Sequence, residues 1–242
     1  MSASTQAETQ LYDNDFAPAA ALMADPTRAA ILSALLSGRA LAAGELARTA
    51  GVGAATASFH LTKLLDGGLV TVTRQGRHRY YQLSGHEVAM ALEAIALISP
   101  GVPVRSLRQS REAEALTQAR TCYDHLAGRA GVELLDAMVR DGVLRADDDG
   151  NFEVTEAGRE KFRSFCINID EVRQARRQFA GSCIDWTQRR RHLNGALAAA
   201  ITARLFALGW IERGTRRRSV RVTEAGAQGL AETFGLSYLA EK

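Results

Sequence analysis

The chain has few cysteines: three in 242 residues, at positions 122, 166 and 183, and no two of them have Cys-x-x-Cys spacing. An odd, widely spaced set excludes a disulfide framework and points to free thiols in a reducing cytoplasm. No run of ~18 apolar residues exists, which excludes a membrane-spanning helix. The polar, acidic N-terminus MSASTQAETQLYDND has no apolar stretch, so it reads as a short disordered arm over 1–13 and not as a signal peptide. A Gly-rich phosphate loop, HExxH and GxSxG are also missing, so the expectation is a protein that is not an enzyme. What the chain has in quantity is apolar sequence, 46% of residues, enough for two domains with separate cores.

Residues 44–81, GELARTAGVGAATASFHLTKLLDGGLVTVTRQGRHRYYQL, are the most informative segment. A short helix over 44–49 precedes the glycine turn Gly51–Gly53. A second helix over 54–65 follows, with Ala57, Leu61, Leu64 and Leu65 at helical spacing for a buried stripe. Its other positions, Thr56, Ser58, Phe59, His60, Thr62 and Lys63, are mostly small or polar and suit approach to base edges and phosphates. The hairpin that follows, with its tip expected at Gln75-Gly76, carries Arg74, Arg77, His78 and Arg79. Tyr80 and Tyr81 point to opposite faces of it. Helix, turn, helix and basic ribbon is the order that seats a helix in the major groove and a wing on the adjacent backbone. The candidate DNA-contacting residues are therefore Thr56, Ser58, Phe59, His60, Lys63, Arg74, Arg77 and Arg79.

Asp25-Pro26-Thr27-Arg28, Gly44-Glu45-Leu46-Ala47, Ser58-x-His60-Leu61-x-x-Leu64, Gly68-Leu69-Val70 and Gly76-Arg77-x-x-Tyr80-Tyr81 together resemble the ArsR family of winged-helix repressors. The likeness covers residues 14–98, under half the chain. It implies a homodimer that binds double-stranded operator DNA, represses its own operon and leaves DNA when an effector binds. Two departures matter. Metal-sensing members often carry Cys-x-Cys in the first helix of the motif, which here has no cysteine. Others carry Asp and His ligands on the last dimer helix. Here that helix, over 85–98, is almost wholly apolar after His86-Glu87.

The effector signal is therefore expected from the rest of the chain. Ser99-Pro100-Gly101-Val102-Pro103 breaks the dimer helix, and SLRQSREAEA begins a new one. Residues 99–111 read as a linker and 112–242 as an effector domain with an internal repeat. Val-Thr-Glu-Ala-Gly occurs at 154 and again at 222, each time after an apolar helix and two short strands, and Thr155 and Thr223 read as N-caps. The expected fold class is α+β, mostly α: an N-terminal winged helix plus two winged-helix-like repeats. The halves differ in charge. Ten acids face four arginines over 124–160, and nine arginines face one acid over 189–221. The two sets could neutralise each other, or Arg216, Arg217 and Arg218 could form a second wing on DNA.

Cys122 and His125 would share a face if their segment were helical. Cys183 lies before Trp186 and His192, and Cys122 and Cys183 hold comparable places in the repeat. Cys122, His125, Cys183, Trp186 and His192 are therefore the candidate effector residues, for a thiol-bound metal, a metalloid or haem iron, or for no cofactor. The bland alternative is that the cysteines are small buried hydrophobes. The reading is a homodimeric, cytoplasmic transcriptional repressor released from DNA by an effector. Its competitors are a ligand-free thiol redox sensor and a Cys/His enzyme on a winged-helix scaffold.

Overall fold

The computed structural model describes residues 13–214 and 218–236. All but the last residue of the arm expected over 1–13, together with Arg216 and Arg217, lie outside the described residues.

The N-terminal unit runs α1 (Ala17–Ala24), α2 (Pro26–Leu35), β1 (Leu41–Ala42), α3 (Ala43–Ala50), α4 (Ala54–Asp66), β2 (Val70–Gln75), β3 (His78–Leu83) and α5 (His86–Ile98). Pro26 opens α2 where a missing N–H is harmless, and the Asp25 carboxylate accepts from Arg28 N at 2.9 Å. The stripe expected on α4 is buried through Ala57, Leu61 and Leu64. It meets Ile31, Leu32 and Leu35 of α2, Leu46 of α3, and Tyr81 and Leu83 of β3. The sheet order is β1-β3-β2, all antiparallel. Gln75 pairs with His78, so the wing turns at Gly76-Arg77, one residue later than the sequence suggested. This is a winged helix-turn-helix.

The C-terminal unit begins with α6 (Leu107–Gln118), whose N-cap Ser106 accepts from Gln109 N. The helix therefore starts inside the stretch read as linker. Next come β4 (Arg120–Cys122), β5 (His125–Ala127), α7 (Arg129–Arg140), β6 (Leu144–Ala146), β7 (Phe152–Val154) and α8 (Glu156–Ser164). After the short α9 (Ile169–Arg173) the same order returns as β8 (Gly181–Ile184), β9 (Arg191–Asn194), α10 (Gly195–Ala207), β10 (Ile211–Arg213), β11 (Val220–Val222) and α11 (Glu224–Phe234). Thr155 Oγ1 accepts from Gly158 N at 3.0 Å, and Thr223 Oγ1 from Gly226 N at 2.9 Å, as their place in the repeat implied. The repeat is longer than the sequence suggested, because each copy opens with a further hairpin, β4–β5 or β8–β9.

The two copies interlock. Val220 N of the second donates to Ala119 O at the start of the first, and Phe152 N of the first donates to Ala180 O at the start of the second, both at 2.9 Å. Helix α7 packs on β9, and α10 packs on β5. One continuous core, including Leu134, Met138, Phe162, Leu197, Ile201, Leu205 and Phe234, spans both copies.

The two units meet at the β4–β5 turn. Tyr123 sits at φ +61, packs against the N-terminal core, and donates its N–H to Leu36 O at 3.0 Å. Gly38 has φ +70, and a Cβ there would lie 2.4 Å from Tyr123 O. Only glycine allows this approach of hairpin to helix end. On the other side, buried Glu93 of α5 pairs with Arg218, whose Nε also donates to Thr121 O at 3.0 Å.

Candidate DNA surface and a buried cysteine–histidine cluster

The exposed side of α4 presents Thr56, Ser58, Phe59 and Lys63, and the wing presents Arg74, Arg77 and Arg79, all solvent-exposed. Lys63 Nζ lies over the Phe59 ring, 4.8 Å from its centroid. His60 does not share that face. Its side chain is 12% exposed and turned inward, with Nδ1 3.5 Å from Asp25 Oδ1 and its ring edge-on to Phe59. The Arg28 N–H bond is the main cause that holds the Asp25 carboxyl below its usual range. Helical spacing put His60 beside the polar positions, but it sits one step round the helix, where α2 begins. Its geometry is that of a positioning residue between α2 and α4.

Arg218 is likewise turned inward, against Glu93 and Thr121 O. Among the described residues, Arg190 pairs with Asp136 and reaches Glu133 at 3.8 Å, so part of the basic run does meet the acidic half.

The second feature is wholly interior. Cys122 and His125 face each other directly across β4–β5, and Cys183 and His192 across β8–β9. Tyr123-Asp124 forms the tight turn between the first pair, so the segment of Cys122 and His125 is a hairpin and the helical condition does not hold. The cross-strand pairing still puts both on one face. The interlocked copies bring the two hairpins together. One ligand atom from each of the four residues lies within 4.8 Å of the others, and all four side chains are buried. Cys183 Sγ is 3.8 Å from His125 Nε2, and the His125 and His192 rings stack with centroids 5.3 Å apart.

The surroundings repeat as well. His125 Nδ1 lies 3.3 Å from Asp124 Oδ1, and His192 Nδ1 lies 3.9 Å from Asp185 Oδ2. Each aspartate has its own arginine, Asp124 with Arg177 at 2.6 Å and Asp185 with Arg120 at 2.9 Å. Asp185 also accepts from Gly128 N, Thr187 and Gln188 N. Neither ring nitrogen of His192 has a hydrogen-bond partner among the described residues.

Burial, and then the proximity of His125, push His192 down to about 3, so its ring is neutral. For His125 burial acts downward too, but the neighbouring Cys122 and Asp124 outweigh it and lift it to about 9. The hydrogen bond between the thiols, together with burial, pushes Cys122 up, while the same bond lowers Cys183, aided by Asn194 Nδ2 at 3.0 Å.

Trp186 stands outside this group. It packs on the Arg120 guanidinium, 4.6 Å from ring centroid to Cζ. Cys166 is exposed, beyond the end of α8. One residue was missed from sequence. Met90 of α5 places its Sδ 3.2 Å from Cys183 Sγ, and nothing in its own segment marks it. A further signal was overlooked. Cys-x-Asp occurs at 122–124 and 183–185, and His-Leu-x-Gly at 125–128 and 192–195, with residues 186–191 inserted between them in the second copy.

A winged helix-turn-helix with an exposed polar recognition helix and a basic wing defines a DNA-binding protein. A family model and a sequence relative agree. The helix-turn-helix domain family matches residues 23–73. The HTH-type transcriptional regulator YdfF of Bacillus subtilis (strain 168) is 43% identical over 212 residues, 88% of this chain and 93% of that protein. The likeness therefore extends well into the C-terminal unit. The chain belongs to the HTH-type transcriptional regulators. Among solved structures, NolR from Sinorhizobium fredii is 32% identical, covering 36% of this chain and 85% of its own, with a TM-score of 0.33. A homodimeric winged helix-turn-helix domain, Mb0332 from Mycobacterium bovis, titled a possible ArsR-family regulator, is 28% identical over 37% of this chain and 86% of its own, with a TM-score of 0.32. No helix among the described residues is long and apolar enough to cross a membrane.

Proposed function

We propose that this regulator is a homodimeric repressor whose hold on operator DNA is set by an effector in its C-terminal unit. Residues 14–98 act as the DNA-binding and dimerising domain, 99–111 connect, and 112–242 form the sensor, built from two winged-helix-like halves. The observation that carries this reading is the contact between units. The hairpin bearing Cys122 and His125 is bonded to the end of α2, while Cys183 touches Met90 and Arg218 pairs with Glu93 on α5. A change at the four side chains therefore bears directly on the elements that aim α4.

Helix α5 is the dimer element in this reading. Only Ala89 and Glu93 of its thirteen residues are buried within the chain, and its apolar residues Ile95 and Ile98 are exposed. A second copy of α5 would cover them and set two recognition helices on successive major grooves. Thr56, Ser58, Phe59 and Lys63 meet DNA from α4, and Arg74, Arg77 and Arg79 from the wing. Burial of Cys122 and Cys183 argues against a catalytic nucleophile, which must reach a substrate.

Operator titration by gel shift tests this. Ser58→Ala should weaken operator binding by about 1–3 kcal/mol if it reads a base. Arg77→Ala should weaken operator and random DNA alike and lower the salt slope of log K by about one. Unchanged affinity in both variants would overturn the DNA surface. A monomer in sedimentation at operator-saturating concentrations would overturn the dimer.

A further inference from the structure

We propose that Cys122, His125, Cys183 and His192 form a closed tetrahedral site for a divalent thiophilic cation of the zinc(II) kind, and that Met90 of α5 carries its occupancy to the DNA-binding unit. The proposal rests on the reading of the C-terminal unit as the sensor and names the chemistry of what it senses.

The donor set comes first. Two sulfurs and two imidazoles are the ligands of closed structural zinc sites, at about 2.3 Å for sulfur and about 2.0–2.1 Å for nitrogen. Such arms give a tetrahedron with edges of about 3.3–3.8 Å. The Cys183–His125 edge is already 3.8 Å, and no pair exceeds 4.8 Å. Modest side-chain rotation closes the rest.

The outer shell is the second observation. A ligating imidazole usually has its other nitrogen held by a carboxylate. Both histidines have an aspartate on the Nδ1 side, from equivalent places in the two copies. In His125 this leaves Nε2, 3.8 Å from Cys183 Sγ, for the centre. His192 is 1% exposed with no hydrogen bond at either ring nitrogen among the described residues, an arrangement that costs free energy until a ligand occupies one of them.

Charge selects the cation. Two thiolates and one divalent ion sum to zero, and each outer aspartate is already balanced by its arginine. A buried site favours that neutral total. Binding releases both thiol protons and the proton that His125 carries, and both imidazoles ligate as neutral rings, so the charges balance. A monovalent copper ion would leave one buried negative charge. A trivalent metalloid wants a third thiolate, and the third cysteine, Cys166, is exposed at the end of α8. Four buried side chains this close leave no room for a macrocycle. A redox disulfide would need only the sulfurs and gives no role to the paired Asp–His arrangement.

The test uses the full reduced chain. After zinc(II) loading and dialysis, one zinc per chain should remain. Cobalt(II) in its place should give the visible bands of a tetrahedral ion and a thiolate charge-transfer band in the near ultraviolet. Cys183→Ser and His192→Gln should abolish tight binding and change the cobalt spectrum, whereas Cys166→Ser should match wild type. Asp124→Asn, which leaves every ligand in place, should lower zinc affinity about 10–100-fold. Wild-type chain that holds no zinc, that takes up only copper(I), or whose cobalt spectrum is unchanged in Cys183→Ser overturns the site. Operator affinity is measured separately. Zinc bound with no effect on DNA would defeat the sensor reading and leave the site standing. Release from DNA by another ligand, with no zinc bound, would do the reverse.

Discussion

Single side chains here divide into those that reach outward and those that hold others in place. Arg120 is of the second kind. It is fully buried, pairs with Asp185, and stacks on Trp186. Removing one partner of a buried pair leaves the other charge uncompensated. Arg120→Met should therefore cost about 3–5 kcal/mol in denaturant unfolding, and a midpoint equal to wild type would refute its role. The sequence marked Cys122, His125, Cys183 and His192 through chemistry and repeat position, and the fold gathers those four. It could not separate His60 from Ser58, because helical periodicity gives an angle and not the place of α2, whose Asp25 claims the ring. Met90 was hidden for the same reason. Its neighbour Cys183 is brought near only by tertiary packing.

At the scale of elements, the winged helix was legible almost residue by residue. Caps, glycine turns and apolar spacing are local signals, and they agree there. The hairpins β4–β5 and β8–β9 were not. Each is only three or four residues per strand, too short for a period to show, and in the first the spacing of three from Cys122 to His125 suited a helix equally well. Each hairpin pairs within its own copy, the first around the turn at Tyr123-Asp124. The hairpin turn is the mechanical link to α2, and Gly38 is its seat. Gly38→Ala places a Cβ against Tyr123 O. It should raise hydrogen exchange at the Tyr123 amide, which is bonded to Leu36 O, while amides in α4 and α7 keep their protection. Equal protection at Tyr123 in both proteins would contradict this link.

Over the whole molecule, two interlocked copies enclose the four clustered side chains, and α5 of the N-terminal unit reaches them through Met90. The arrangement gives a physical route for coupling. A ligand that draws the two hairpins together pulls on Met90 and on the Glu93–Arg218 pair, and both bear on α5. Coupling of this kind changes affinity by about 5–150-fold, or 1–3 kcal/mol. The charge asymmetry seen in the sequence contributes partly through pairs such as Arg190 with Asp136, and Arg218 is spent on α5 and not on DNA.

The most direct measurement is operator affinity of the full chain with and without one equivalent of zinc(II), by anisotropy at fixed salt. Wild-type affinity should change by at least about fivefold. Cys183→Ser should show no zinc response. Identical binding curves for the wild-type protein with and without bound zinc would contradict this coupling.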